Sequence, residues 1–512
     1  MALIEFKLPK RIAKALHLPV SSPRTQQLKV LKKLLRKARF TEFGQAYRFD
    51  DVLLNKHVGK SFQEHVPIFD YTSIYKQWWH KTLEGSPDVC WPGKIKFFAL
   101  SSGTSEAASK YIPVTNELIR GNKNVMVRML LGLRNFSNVP VSKLTKGWLT
   151  LGGSTSLTKG PGYYAGDLSG IAARKQPFWF QPFYKPGKKI AREKDWQKKL
   201  EDIVEKAPEW DISLILGVPA WAQLCMEMII EKYQLKTIHD IWPNLSFFVH
   251  GGVAFEPYKK GFTKLLGKPL LYMNTYLASE GFLAFQNKEH DNSVGYMRLV
   301  TNEHIYFEFV AFNEQNFDAD GNIKPNAQAF MIHEVEEGPD YAILISTVAG
   351  AWRYLIGDTV KFVDKENCQV IITGRTKSFL SLVGEHLSVD NMNRAVEMAQ
   401  EHFNISIPEF TVAGVPFGNF FAHHWYVATD EKVNALELEK FIDAKLSELN
   451  DDYAVERRHA LKEIRLDVLT EQQFMDFMAS KGKIGGQHKF PRVLKGKMLD
   501  DWHQFLKGQM VK

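Results

Sequence analysis

Apolar and polar positions change period several times along this chain, and each change predicts an element. Across residues 28–40, Leu31, Leu34, Leu35 and Ala38 recur at i, i+3, i+4 and i+7, with Lys32, Lys33, Arg36 and Lys37 between them. That spacing predicts an amphipathic basic helix, and residues 1–85 read as mostly helical, ending in the stretch 71–85 with its paired Trp78 and Trp79. A short apolar run at 96–100 enters a Ser/Gly turn, as a strand running into a loop does. Helical periodicity returns at 116–133. The Gly-, Ser- and Thr-rich stretch 152–170 reads as loop. Helix and strand then alternate: helix 194–206, strand 212–216, helix 219–233, strand 245–249, a helix through Leu266 and strand 270–275. Such alternation predicts an α/β sheet with parallel pairing.

From Gly295 the pattern becomes β-rich, with runs at 305–312, 341–347, 359–363 and 370–373 and a turn at 318–321. These predict an antiparallel barrel or sheet. Past Gly374-Arg375 come a helix at 389–402, strands at 410–415 and 424–428, and a helix at 435–449. A boundary is expected near 375–378, giving a large part, 1–375, and a smaller α+β part, 376–512.

Composition narrows the function. A chain of 512 residues with 45% apolar residues is too long for one simple core and too apolar for general disorder. No uncharged stretch reaches about 18 residues, so no transmembrane helix is expected. The first twenty residues lack the apolar run of a secretory signal, which predicts a cytoplasmic protein. Cys90, Cys225 and Cys368 are far apart, without metal or disulfide spacing, and read as structural thiols.

The net charge of +9 raises the question of nucleic acid. Residues 1–40 answer it, with eleven Lys or Arg against the single acid Glu5, so the rest of the chain is close to neutral. No nucleic-acid partner is expected. The basic helix reads as the solvated face of a packed helix, with a membrane surface or a polyanion as the alternative. There is no H-E-x-x-H, G-x-S-x-G or G-x-G-x-x-G, and adjacent His423 and His424 on a strand would face opposite sides.

Four segments carry candidate chemistry. Ser101-Ser102-Gly103-Thr104-Ser105, followed by Lys110, places hydroxyls, backbone N–H groups and a cation where phosphate oxygens can be cradled. Tyr276-Leu277-Ala278-Ser279-Glu280 puts an aromatic face and a hard oxygen ligand at a strand's end, which suits a base and Mg²⁺. Gly357-Asp358 offers a carboxylate at a tight turn, able to accept from ribose hydroxyls. Gly482–Arg492 holds Lys489 near flexible glycines. Each alone also reads as a core aromatic, a capping charge or a solvated loop.

Their order and spacing together resemble the auxin-responsive acyl acid amido synthetase family, within the adenylate-forming superfamily that includes firefly luciferase and acyl-CoA synthetases. Residues 101–110 resemble its S-S-G-T-S-x-G-x-x-K loop, 276–280 its Y-x-x-S-E motif and 354–358 its Y-R-x-G-D region. His250-Gly251-Gly252 and the stretch 487–492 are similar as well. Ala107 departs from the loop's second Gly, and Leu277-Ala278 from the commoner Gly-Ser or Ala-Ser.

The resemblance implies an α/β adenylation domain over 1–375, with a β-barrel-like part and a small mobile α+β domain after it. It also implies ATP and Mg²⁺ as cofactors, and a small carboxylic acid and an amino acid as partners. The acid would attack the α-phosphate of ATP, and an amine would then displace AMP from the acyl-adenylate. Ser101, Ser102, Gly103, Thr104, Ser105 and Lys110 would hold phosphates, with Gly251, Gly252 and Ser279 also in the nucleotide site. Glu280 would ligate Mg²⁺, Tyr276 lie along adenine and Asp358 grip ribose. Arg375 would mark the hinge and Lys489 steady the developing charge. A thioester ligase using CoA or a carrier protein, and a silent nucleotide- or polyanion-binding protein, are the alternatives.

Overall fold

The computed structural model describes residues 21–102, 109–133, 136, 145–176, 180–253, 255, 258–288, 296–318, 321–377, 379–385, 387–481 and 490–510. The basic helix runs Pro23–Ala38, capped by the Ser22 side chain, and buries Val30, Leu31, Leu34, Leu35 and Ala38, the stripe its periodicity predicts. Buried Gln27 fastens it to the sheet. Its amide donates to the carbonyls of Thr301 (2.8 Å) and Ile305 (3.0 Å) and accepts from the Phe307 N–H (2.6 Å). Lys33, Arg36 and Lys37 lie exposed on the far side, and Lys37 pairs with Glu117 at 2.7 Å. The helix is a packed element with a solvated basic face.

The strands of the larger part are β1 (Phe97–Ser102), β2 (Ser109–Val114), β3 (Gly147–Leu151), β4 (Thr158–Gly160), β5 (Tyr163–Gly166), β6 (Tyr184–Lys185), β7 (Ile212–Gly217) and β8 (Phe247–Gly251). They continue as β9 (Leu271–Ala278), β10 (Gly281–Phe285), β11 (Met297–Leu299), β12 (Ile305–Ala311), β13 (Ala329–Met331), β14 (Asp340–Thr347), β15 (Tyr354–Asp364) and β16 (Gln369–Arg375). Twelve of them form one mixed sheet, ordered β13-β12-β14-β15-β16-β11-β10-β9-β8-β7-β3-β6. Strands β3, β7, β8 and β9 are parallel, and β9 to β16 pair antiparallel, as the two halves of the pattern predict. Of barrel and sheet, the β-rich part is a continuation of the parallel sheet. It is nonetheless strongly curled. In a flat sheet β9 and β15, four strands apart, would be about 19 Å distant, yet Tyr276 on β9 touches Asp358 on β15 at 2.5 Å.

A second sheet, β2-β1-β5-β4, stands beside the first. Its presence corrects the expected loop at 152–170, which contains β4, β5 and the helix Leu168–Arg174. These elements are too short to show a period. They exist because β5 finds β1 as a parallel partner and Tyr163 packs edge-on to Phe98.

The chain after β16 holds β17 (Phe379–Leu380), β18 (Leu387–Ser388), β19 (Phe410–Phe417), β20 (Phe420–Ala428), β21 (Leu461–Leu469) and β22 (Val493–Leu494). The last four form the sheet β21-β20-β19-β22, with the helices Val389–Phe403 and Ala435–Leu449 as expected. One apolar cluster, containing Phe248, Tyr258, Trp425 and Tyr453, crosses from the large sheet's helices into this part. Among the described residues no helix is long and apolar enough to cross a membrane.

Candidate active site

Two hairpins and one bulge build the site. In the β1–β2 hairpin Ser101 faces Lys110 and Ser102 faces Ser109, so Lys110 stands at the root of the candidate phosphate loop. Gly103, Thr104 and Ser105 lie outside the described residues, as does Lys489. In the β9–β10 hairpin Ala278 pairs with Gly281, which leaves Ser279 and Glu280 as a two-residue turn. Glu280 thus projects from the C-terminal edge of the parallel strands. Glycine at 281, with φ of 150°, permits close packing there.

Asp358 corrects a detail. It is not at a tight turn but in a bulge of β15, where Leu355 pairs with Leu344 and Thr359 with Ala342. Gly357, at φ 90°, supplies the left-handed backbone that turns Asp358 toward the site. There the Tyr276 hydroxyl donates to Asp358 Oδ2 at 2.5 Å, and Arg375 Nε pairs with Oδ1 at 3.1 Å. A second arm of Arg375 donates to the Ile356 carbonyl at 2.9 Å. Arg375, directly across the ladder from Asp358, locks the bulge and the carboxylate together. Tyr276 is buried and its hydroxyl is committed to Asp358.

Electrostatics ties the pieces into one cluster. Burial pushes the Lys110 amine down to about 8, helped by Arg375 and opposed by Glu280. Desolvation pushes the Glu280 carboxyl up, opposed chiefly by Lys110. Burial likewise drives the Tyr276 phenol far above its ordinary range, with Asp358 adding to the effect. Lys110, Tyr276, Glu280, Asp358 and Arg375 therefore feel one another, although they are spread over some 265 residues of sequence.

Gly251 ends β8 at this same edge, where a Cβ would come within 2.5 Å of the Thr275 carbonyl. Gly252 follows at φ 85°.

Tyr71 is a member that sequence reasoning missed, and the charge of neighbouring Asp70 also reaches Lys110. The Tyr71 hydroxyl accepts from the Tyr111 N–H at 2.9 Å, and the Lys110 ammonium lies 5.4 Å from its ring. Their only sequence signal is the Asp70–Ser73 capping box. Arg353, inside a motif-bearing segment, does not reach the site. It is buried against Glu308 at 3.2 Å and donates to the carbonyls of Gln63 and Val66.

Comparison with known proteins meets this geometry. Profiles of the GH3 family match its N-terminal domain over residues 13–192 and 161–271, its central domain over 298–372 and its C-terminal domain over 390–497. The chain belongs to the GH3 family. It is a ligase of the acyl acid amido synthetase kind, which activates a carboxylic acid as an acyl-adenylate and passes the acyl group to an amine.

An indole-3-acetic acid-amido synthetase of Arabidopsis thaliana, GH3.4, is 23% identical, covering 92% of this chain and 89% of that protein. A solved GH3.15 acyl acid amido synthetase superposes with a TM-score of 0.58 at 15% identity, covering 98% and 96%. A 2-hydroxyisobutyryl-CoA ligase, solved with its acyl-adenylate and CoA, gives 0.56 at 13% identity, covering 94% and 92%. These two likenesses establish the adenylate-forming fold.

Proposed function

We propose that this GH3 protein uses ATP with Mg²⁺ to adenylate a small carboxylic acid and transfers the acyl group to an amino acid in the cytoplasm. The observation that carries the residue assignments is the Tyr276–Asp358–Arg375 group set beside Glu280 and Lys110. A carboxylate fixed from two sides keeps its remaining lone pairs for ribose hydroxyls, so Asp358 holds the nucleoside. Tyr276, buried behind it, supports it through its hydroxyl.

Glu280 fits a hard cation. Among the described residues no side chain hydrogen-bonds its carboxylate, and desolvation disfavours its charge without a counter-ion. Glu280 would hold Mg²⁺, which supplies charge neutralisation of the phosphates when bound. Lys110, with Ser101, Ser102, Gly103, Thr104 and Ser105, holds the departing pyrophosphate, and Gly251, Gly252 and Ser279 complete the nucleotide edge. Lys489, carried by the part beyond residue 375, reaches the α-phosphate, where charge accumulates as the acid attacks. AMP then leaves as the amine attacks the acyl carbon. The chain's contribution is positioning and charge.

The test is ATP–pyrophosphate exchange over a panel of carboxylic acids, with Glu280→Ala and Lys489→Ala alongside. Acid-dependent exchange should appear in the wild type and fall at least about 100-fold in both variants. Exchange that survives in both would overturn the assignments. Product analysis with amino acids against CoA identifies the acceptor.

A further inference from the structure

The C-terminal α+β part meets the large sheet's flank at the helix Pro219–Lys232. There the Trp221 indole N–H donates to Glu456 Oε1 at 2.9 Å, reaching the helix Asp451–His459. Trp221 is itself stacked on Trp196, with ring centroids 4.4 Å apart and planes 18° from parallel. Around this contact the Tyr258 hydroxyl donates to the Leu382 carbonyl at 2.6 Å, and the Gln223 amide to the Asn419 carbonyl at 3.1 Å. The two parts share one apolar cluster, so the contact lies in a sealed interface.

Glu456 is an unusual residue to place there. Its side chain is 7% exposed, and its second oxygen, Oε2, is buried without a partner. Its surroundings hold acids. Glu385 faces it from the loop ahead of β18, its own carboxylate taken up by His423 at 2.9 Å and by the N–H groups of Leu382, Val383 and Gly384. Asp452 lies on its own helix, and Tyr258 faces it from the other side of the interface. Lys495 looks toward Glu385. His459, one turn on, lies 5.2 Å from the Trp221 ring, with Arg458 and Asp195 near it. Burial, with Glu385 and Asp452 behind it, pushes the Glu456 carboxyl well above the ordinary carboxylate range, against the Trp221 hydrogen bond.

We propose that Glu456 is a positioning residue: as a neutral acid hydrogen-bonded to Trp221 it holds the C-terminal part docked on the helix Pro219–Lys232, and undocking releases its proton. Once the interface opens, water reaches the carboxyl. Its O–H bond breaks, the electron pair stays on the carboxylate and the proton passes to solvent. Docking takes the proton back up. The docked value being the higher, the contribution to docking is complete below the ordinary carboxylate value, about 4.3. It is lost as pH rises toward the docked value. His459 works in the opposite sense, because its protonation opposes burial. The inference does not depend on the adenylation reading, because its test contains no ATP, acid or amine.

The experiment is small-angle scattering of the full chain between pH 5 and pH 8, comparing wild type with Glu456→Gln. Glutamine keeps the shape and the acceptor for Trp221 and has no proton to lose, and circular dichroism confirms that it is folded. In the wild type the ratio of docked to undocked molecules should fall with rising pH, by at most tenfold per unit. Glu456→Gln should stay docked at pH 8, with a flat or reversed dependence. A variant that retains the wild-type slope, or a wild type without one, overturns the proposal.

Discussion

Asp358 shows what single residues do at this site. It is held by two neighbours that also hold each other's surroundings. Replacing Tyr276 with Phe removes one charge-assisted hydrogen bond, a loss of about 1.5–3 kcal/mol. ATP affinity should then fall roughly 10- to 100-fold, read from the ATP dependence of exchange with the acid saturating. Glu280 and Lys110 set the pH limits. Glu280 must be ionised to hold a cation, and desolvation has raised its carboxyl, so activity is lost at higher pH than for an exposed carboxylate as the solution is acidified. Lys110 is a cation only below about 8, so activity should also decline above that value. In Lys110→Ala the acid limb should move to higher pH and the alkaline limb disappear. A pH profile of exchange for the wild type and Lys110→Ala, over the range where both are stable, checks both signs.

Elements were read with uneven success, and the reasons are physical. The basic helix, the helix Asn116–Gly132 and the helix Ala435–Leu449 each bury one stripe, so their period is in the sequence. Strands β4 and β5 escape because three or four residues carry no period and their stability comes from pairing with each other and with β1. β21 escapes for a different reason: its burial alternates only in part, and its parallel partner β20 lies across the helices Ala435–Leu449 and Asp451–His459. The helix Pro23–Ala38 offers a direct test of face against face. Gln27→Ala leaves three buried backbone groups unpaired and should cost about 1–3 kcal/mol or more of stability in denaturant melts. Glu in place of both Lys33 and Arg36 on the exposed face should shift stability by only about 0.5 kcal/mol or less per site.

For the whole molecule, attachment of the N-terminal helices rests on a buried ion pair. Arg353 joins Glu308 on β12 to the carbonyls at the end of the helix Val58–His65, and Gln63 donates to the same Glu308 at 2.9 Å. Arg353→Ala takes the ion partner from the buried Glu308, a loss of about 3–5 kcal/mol. Thermal unfolding should show it as a large fall in midpoint, while a Glu308→Gln, Arg353→Met double variant should recover most of it.

The sequence by itself determined the order of the longer periodic elements, the change from parallel to antiparallel pairing and the identity of the charged groups, because period and residue type are local properties. It named Glu280, Asp358 and Arg375 as site residues. Tertiary structure alone decided that they meet. The sheet must curl before β9 can touch β15, and the bulge at Gly357 must form before Asp358 can turn toward Tyr276. It also decided that Arg353, immediately before the candidate motif at 354–358, is a structural ion and that Tyr71 belongs beside Lys110, within reach of the Asp70 charge. Charge, burial and partner choice depend on the distance between residues remote in the chain, and no local pattern encodes that distance.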